Sequence, residues 1–131
     1  MRKTKKVLLF AVILVVLGSF LASMFHTSFF QVKVKEIEFE TERGTLSGLL
    51  YMPKGAGEEE PRPVIVTTHG YLNTKEMQDA SAIEMSRRGY IVLAVDMYDH
   101  GDSRWKDEIK VGEQFATFWI YSQIDAANYM A

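Results

Sequence analysis

Two short runs constrain the fold of this chain more than any other feature. The first is Pro63-Val64-Ile65-Val66-Thr67-Thr68-His69-Gly70, and the second is Gly89-Tyr90-Ile91-Val92-Leu93-Ala94-Val95-Asp96. Each is β-branched and apolar and stops abruptly at a polar turn, which is the signature of a buried strand. The stretch between them reads as a helix. Asn73 can cap it, Glu76 follows three residues on as in a capping box, and Gly89 is placed to end it. Met77, Ala80 and Ile83, extended by Ser81 or Glu84, form a narrow apolar face, and Arg87 and Arg88 suit the negative end of the helix dipole. The unit is therefore strand, helix, parallel strand. It brings His69-Gly70 and Asp96 to one edge of a sheet, and ligands of open α/β sheets bind beyond the carboxyl ends of the strands.

The N-terminus carries the second strong pattern. Met1-Arg2-Lys3-Thr4-Lys5-Lys6 is basic, and residues 7–25 hold no charge. Nineteen residues in a helix rise roughly 28 Å, close to the ~30 Å hydrocarbon core of a bilayer. A cleaved signal peptide has the same basic start but an apolar core of about 7–15 residues. Here the apolar stretch is longer, and the small residues at Ala22 and Ser23 are followed by bulky Met24, Phe25, Phe29 and Phe30. The pattern predicts an uncleaved anchor, with a cleaved signal peptide and a buried core helix as the alternatives. The basic end stays in the cytoplasm and the rest lies outside, with Phe25, Phe29 and Phe30 near the outer interface. Cleavage would make the remainder a secreted protein.

From Val32 to Glu40 apolar and charged residues alternate with one slip of phase near Glu36. Thr41-Glu42-Arg43-Gly44-Thr45 is turn chemistry, and Leu46 to Met52 reads as a second strand, so residues 32–52 predict an antiparallel hairpin. Lys54 to Pro61 is a polar loop whose glutamates, Glu58 to Glu60, suit a solvated tip. Towards the end, Val111, Phe115, Phe118, Trp119, Ala126 and Met130 recur at helical spacing and predict an amphipathic helix from about Glu113 onward, with the aromatic stripe packed on the core. No internal repeat is present.

Composition removes several classes. A formal charge of −2 with no basic stripe argues against nucleic acid as a partner. The absence of cysteine removes disulfides and thiolate metal sites. Asp96, Asp99, His100 and Asp102 have oxygen and imidazole donors, but their near-consecutive spacing in one turn suits loop hydrogen bonds better than a metal, and neither a metal nor a cofactor is expected.

The order hairpin, strand, helix, strand, helix carries three motifs that together resemble a known family. They are the strand ending in His69-Gly70, the loop Asp96-Met97-Tyr98-Asp99-His100-Gly101-Asp102-Ser103, and the helix Gln123-Ile124-Asp125-Ala126-Ala127-Asn128-Tyr129-Met130. The second is similar to the D-x-x-G-x-G-x-S loop after the fourth strand of α/β-hydrolases of the dienelactone-hydrolase or serine-aminopeptidase-like kind. The third resembles the helix that leads to their nucleophile strand. The resemblance runs from about Val34 to Met130. It implies an α/β fold in which residues 31–131 form the first half of an α/β-hydrolase domain, behind the transmembrane helix of residues 7–25 and the cytoplasmic stretch of residues 1–6 that the N-terminal pattern predicts.

The same resemblance implies that the backbone N–H of Tyr71, or alternatively of Leu72, belongs to an oxyanion hole. Such donors are worth roughly 2.7–4 kcal/mol each. It assigns loop-shaping roles to His69, Gly70, Asp96, His100, Gly101 and Ser103, and places the catalytic base and acid further downstream. Asp99 stands where the family has glycine. The G-x-S-x-G nucleophile elbow does not occur in these residues. Ser47, Ser81, Ser86 and Ser122 fall in strand or helix patterns with no base in view. The expectation is the N-terminal piece of a membrane-anchored serine hydrolase acting on an ester, thioester or amide of a small-molecule or peptide acyl substrate, inactive as it stands. The alternative is a non-catalytic anchored module that binds a partner through an open sheet edge, since the family's strand order leaves residues 63–68 uncovered.

Overall fold

The computed structural model describes residues 2–57, 60–108, 112–114 and 116–131. Glu58 and Glu59 of the expected loop tip, and Val111 and Phe115 of the expected helical stripe, lie outside them. The chain begins with α1 (Arg2–His26). Its segment Lys3–His26 is long and apolar enough to cross a membrane, with a mean hydropathy of 2.7, and none of its apolar window is covered by the rest of the chain. Ser28, Phe29 and Phe30 follow with φ of 48°, 56° and 62°. Three successive left-handed residues are costly for L-amino acids, and hydrogen bonds hold them: Phe29 N–H donates to the Met24 carbonyl at 2.6 Å, Phe30 N–H to Thr27 Oγ1 at 3.2 Å, and Val32 N–H to the Thr27 carbonyl at 3.0 Å. The turn passes straight into β1.

β1 (Val32–Glu40) and β2 (Gly44–Pro53) form the expected hairpin, paired without interruption from Val32 opposite Pro53 to Glu40 opposite Thr45. The phase slip near Glu36 is therefore no bulge. Helices cover both faces of the sheet, and β1 changes the face it buries along its length. Val32 and Val34 pack with Tyr51, Val92, Ala94 and Ala82 on one face, whereas Ile37 and Phe39 pack with Leu46, Leu93, Val95 and Ala126 on the other.

β3 (Val64–Thr68) and β4 (Ile91–Val95) are parallel, and the sheet order is β1-β2-β4-β3. A two-residue strand β5 (Arg104–Trp105), which the sequence did not suggest, pairs with the start of β2. Between β3 and β4 the helix starts as a 3₁₀ turn, Lys75–Gln78, and continues as α2 (Asp79–Arg87). Asn73 does not cap it; its N–H closes a turn onto the Gly70 carbonyl at 3.2 Å. Of the expected apolar face, Ile83 packs against the core, but Met77 and Ala80 are exposed, while Ala82 and Ser86 are buried against the sheet and Lys75 is buried in the preceding turn. Gly89, at φ +102°, ends the helix. A π-helical segment, Ala116–Tyr121, leads into α3 (Ser122–Met130) on the opposite face.

The sheet has two distinct ends. Gln31, Pro53, Pro63 and Tyr90 gather at the end where α1 joins, with the Gln31 carbonyl accepting Lys54 N–H at 2.8 Å. His69, Asp96 and the β1–β2 turn lie at the other, where the Ser47 carbonyl accepts Asp96 N–H at 2.9 Å.

Candidate functional site

The last residues of β4 lead into a loop organised by the buried carboxylate of Asp96. Its Oδ1 accepts the backbone N–H of Lys75 at 2.7 Å, and its Oδ2 accepts both the Lys75 ammonium at 2.8 Å and Asp102 N–H at 3.0 Å. Lys75 is only 1 % exposed, and its Nζ also meets the Asp102 carboxylate at 2.7 Å. Burial works against that ammonium, but the hydrogen bonds to Asp102 and Asp96 outweigh it and hold its pKa above the ordinary lysine range. The same contact keeps the Asp102 carboxyl below the ordinary carboxylate range. Gly101, at φ +51°, is packed so closely on Asp96 that a Cβ there would overlap the carboxylate. Asp99, in the glycine position of the motif, keeps the left-handed backbone with φ +57° and accepts Trp105 N–H at 3.0 Å. Aspartate is among the few side chains that visit that region routinely. Ser103 Oγ donates to the Asp96 carbonyl at 2.8 Å and accepts Ser47 N–H at 2.9 Å, which ties the loop to β2.

His69 is locked. Met97 N–H donates to its Nε2 at 3.1 Å, so Nε2 carries no proton, and Nδ1–H donates to the Gly70 carbonyl at 2.8 Å. Both ring nitrogens are engaged and the side chain is buried, which leaves neither nitrogen for a substrate. Beyond it, Gly70, Tyr71 and Leu72 turn outward, with Leu72 at φ +58°. Tyr71 and Leu72 are 68 % and 78 % exposed, and no acceptor among the described residues takes either backbone N–H.

A cleft of about 360 Å³ opens here. Tyr71 and Leu72 come from the β3 loop, Met97, Asp99 and His100 from the β4 loop, and Gln114, Phe118 and Trp119 from the segment before α3. Trp119 Nε1 donates to the His69 carbonyl at 3.2 Å. His100 Nδ1 donates to the Tyr98 carbonyl at 3.0 Å, so His100 both braces its loop and faces the cleft.

A second network fixes α3. The Asp125 carboxylate receives Arg43 Nη1 at 2.6 Å and Tyr98 OH at 2.7 Å, and Thr41 Oγ1 lies 2.5 Å from the same phenol oxygen. Burial first, and the bond to Asp125 after it, push the Tyr98 phenol above its ordinary range. Ser122 Oγ accepts Tyr98 N–H at 2.9 Å. Among the described residues no group of three or more His, Cys, Asp or Glu could hold a metal ion. Lys75 and the Asp125 network escaped the sequence reading. A lysine in a first helical turn reads as solvated, and its partners lie 21 and 27 residues away.

No protein-family model matches the chain, and no curated protein matches it. Solved structures do. A hypothetical protein from Pseudomonas aeruginosa is 20 % identical with a TM-score of 0.60, over 76 % of this chain and 30 % of its own. A thioesterase domain from the curacin biosynthetic pathway is 20 % identical with a TM-score of 0.54, over 75 % and 31 %. The naproxen esterase (carboxylesterase NP) of Bacillus subtilis is 16 % identical with a TM-score of 0.52, over 82 % and 36 %. The chain thus spans about a third of the length of the structures it matches. At this identity the likeness defines the fold: an N-terminal apolar helix followed by part of an α/β-hydrolase architecture.

Proposed function

We propose that these residues are the N-terminal part of a membrane-anchored α/β-hydrolase that cleaves ester, thioester or amide bonds, with the serine nucleophile, acid and base supplied by chain beyond residue 131. The observation that carries the reading is the pair of N–H groups at exposed Tyr71 and Leu72, on the cleft beyond β3, which no acceptor among the described residues takes. An N–H so placed can stabilise the oxyanion of an acyl-transfer intermediate, the second donor being the residue after the nucleophile. His69, Asp96, Gly101 and Ser103 hold the two loops that frame it, and residues 2–131 alone perform no triad chemistry. α1 is the anchor in this reading, with its basic end in the cytoplasm and the sheet outside.

The test is labelling of membranes from the source organism with a fluorophosphonate, read together with the intact mass of the native protein. A labelled species heavier than these 131 residues is the expected result. A heavier species that takes no label overturns the hydrolase reading.

One observation favours a second reading. β3 ends the sheet, so its outer edge offers unpaired backbone groups to another strand. A non-catalytic anchored module would use that edge to hold a partner. A native species with the mass of these 131 residues, crosslinked through Val64–Thr68 to another polypeptide, is what that reading requires.

A further inference from the structure

The cleft limits what can occupy it. Its volume, about 360 Å³, lies towards the lower end of the roughly 300–1,000 Å³ of small-molecule sites. Leu72, Met97, Phe118, Trp119 and the ring of Tyr71 make its walls apolar, and among the described residues no lysine or arginine lines it. The Asp99 carboxylate on its rim disfavours anions. His100 stands among the rings, its centroid 5.5 Å from that of Phe118 and 6.1 Å from that of Tyr71, both edge to face. With Nδ1–H given to the Tyr98 carbonyl, Nε2 is the remaining hydrogen-bonding atom of that ring and an acceptor in the neutral imidazole.

The position of the cleft matters as well. α1 joins the sheet at Gln31, beside the end of β2, whereas the cleft lies past the far ends of β3 and β4. Five strand residues at ~3.3 Å each separate the two ends by about 17 Å.

We propose that the cleft takes a small, neutral aromatic group bearing a hydrogen-bond donor, a phenol in its simplest form, from the water side of the sheet rather than a lipid acyl chain from a bilayer. As a substrate class this rests on the hydrolase reading; as a binding site it rests on the lining alone. The rings receive the aromatic group in stacked or edge-on contact, and His100 Nε2 accepts its donor.

The full chain in phosphatidylcholine nanodiscs, labelled with ¹⁵N at the tryptophan indoles, supplies the test. The chain holds two tryptophans, and Trp105→Phe assigns their signals. p-Cresol is expected to shift the Trp119 indole signal saturably and leave Trp105 in place. It should bind about fivefold more tightly than 4-methylanisole, which lacks the donor, the factor that one ordinary hydrogen bond supplies. In His100→Phe that preference should vanish, and benzoate and laurate should give no saturable shift.

A dispersed spectrum with no saturable p-cresol shift overturns the proposal. So does equal binding of p-cresol and 4-methylanisole, or tighter binding of laurate. Should His100→Phe lose the native Trp105 signal, the ratio measured on the unsubstituted chain decides alone. Binding of p-cresol, when the heavier native species takes no fluorophosphonate, keeps this site and removes the hydrolase reading; a labelled native species together with no saturable p-cresol shift removes the site and keeps the reading.

Discussion

Lys75 holds its ammonium against a carboxylate that water does not reach, and the consequences are measurable. Removing one partner of a buried pair leaves the other charge uncompensated, which costs about 3–5 kcal/mol. Lys75→Met should therefore lower stability by about that much in urea unfolding of the full chain. Asp102→Asn, whose carboxylate is exposed and screened by water, should cost far less than Lys75→Met in the same measurement. The pH dependence follows from the raised pKa of Lys75. A proton bound more tightly in the folded state stabilises below the unfolded lysine value of about 10.4, and the advantage is lost as pH rises beyond it. The raised phenols of Tyr51 and Tyr98 act in the same direction. Thermal melting between pH 9 and 11.5 should show the midpoint falling, and less steeply in Lys75→Met. Asp99 makes a further residue-scale case. With its backbone left-handed, Asp99→Ala should destabilise more than Asp99→Gly, by about 1–2 kcal/mol in the same unfolding measurement.

At the scale of elements, Asp125 joins α3 to the β1–β2 turn through Arg43 and to the β4 loop through Tyr98. Hydrogen bonds to a charged group contribute about 1.5–3 kcal/mol each, so Asp125→Ala should cost at least that and raise hydrogen exchange first in α3. The elements themselves were largely legible in the sequence. β3 and β4 announced themselves as continuous apolar runs, although β3, at the edge of the sheet, is only half-buried, and β1 and β2 because a hairpin alternates. The slip at Glu36 was visible, but its meaning was not, since one sequence cannot say that a helix covers each face of the sheet. The helix start was misplaced because Asn73 belongs to the turn that carries Tyr71 and Leu72. The face of this helix was read only in part, Ile83 rightly, for a related cause: its fully buried positions are small or polar, Ala82 and Ser86, so hydropathy pointed to Met77 in the preceding turn as well. For the site, the positions of His69 and Asp96 could be read from the strand ends, whereas Lys75 became a partner of Asp96 only through the fold.

For the molecule as a whole, the two sheet ends give an orientation that can be tested. Both tryptophans belong to the end opposite α1: Trp105 pairs with the start of β2, and Trp119 lines the cleft. In proteoliposomes, bromine-labelled acyl chains should leave the tryptophan fluorescence unquenched while aqueous acrylamide quenches it. Quenching by the brominated lipid would mean that the cleft faces the bilayer and that the proposed arrangement is reversed. The left-handed turn at Ser28–Phe30 bears on what such a protein can meet. Between the last residue of α1 and the first of β1 stand only residues 27–31, and hydrogen bonds hold that joint. With α1 anchored as proposed, a domain mounted on so short a bracket, rather than on a leash, would drift sideways with its anchor while its height stayed nearly constant. Its exposed β3 edge would then sweep a single plane parallel to the bilayer, and meetings between copies would become a two-dimensional search set by surface density rather than by concentration in solution.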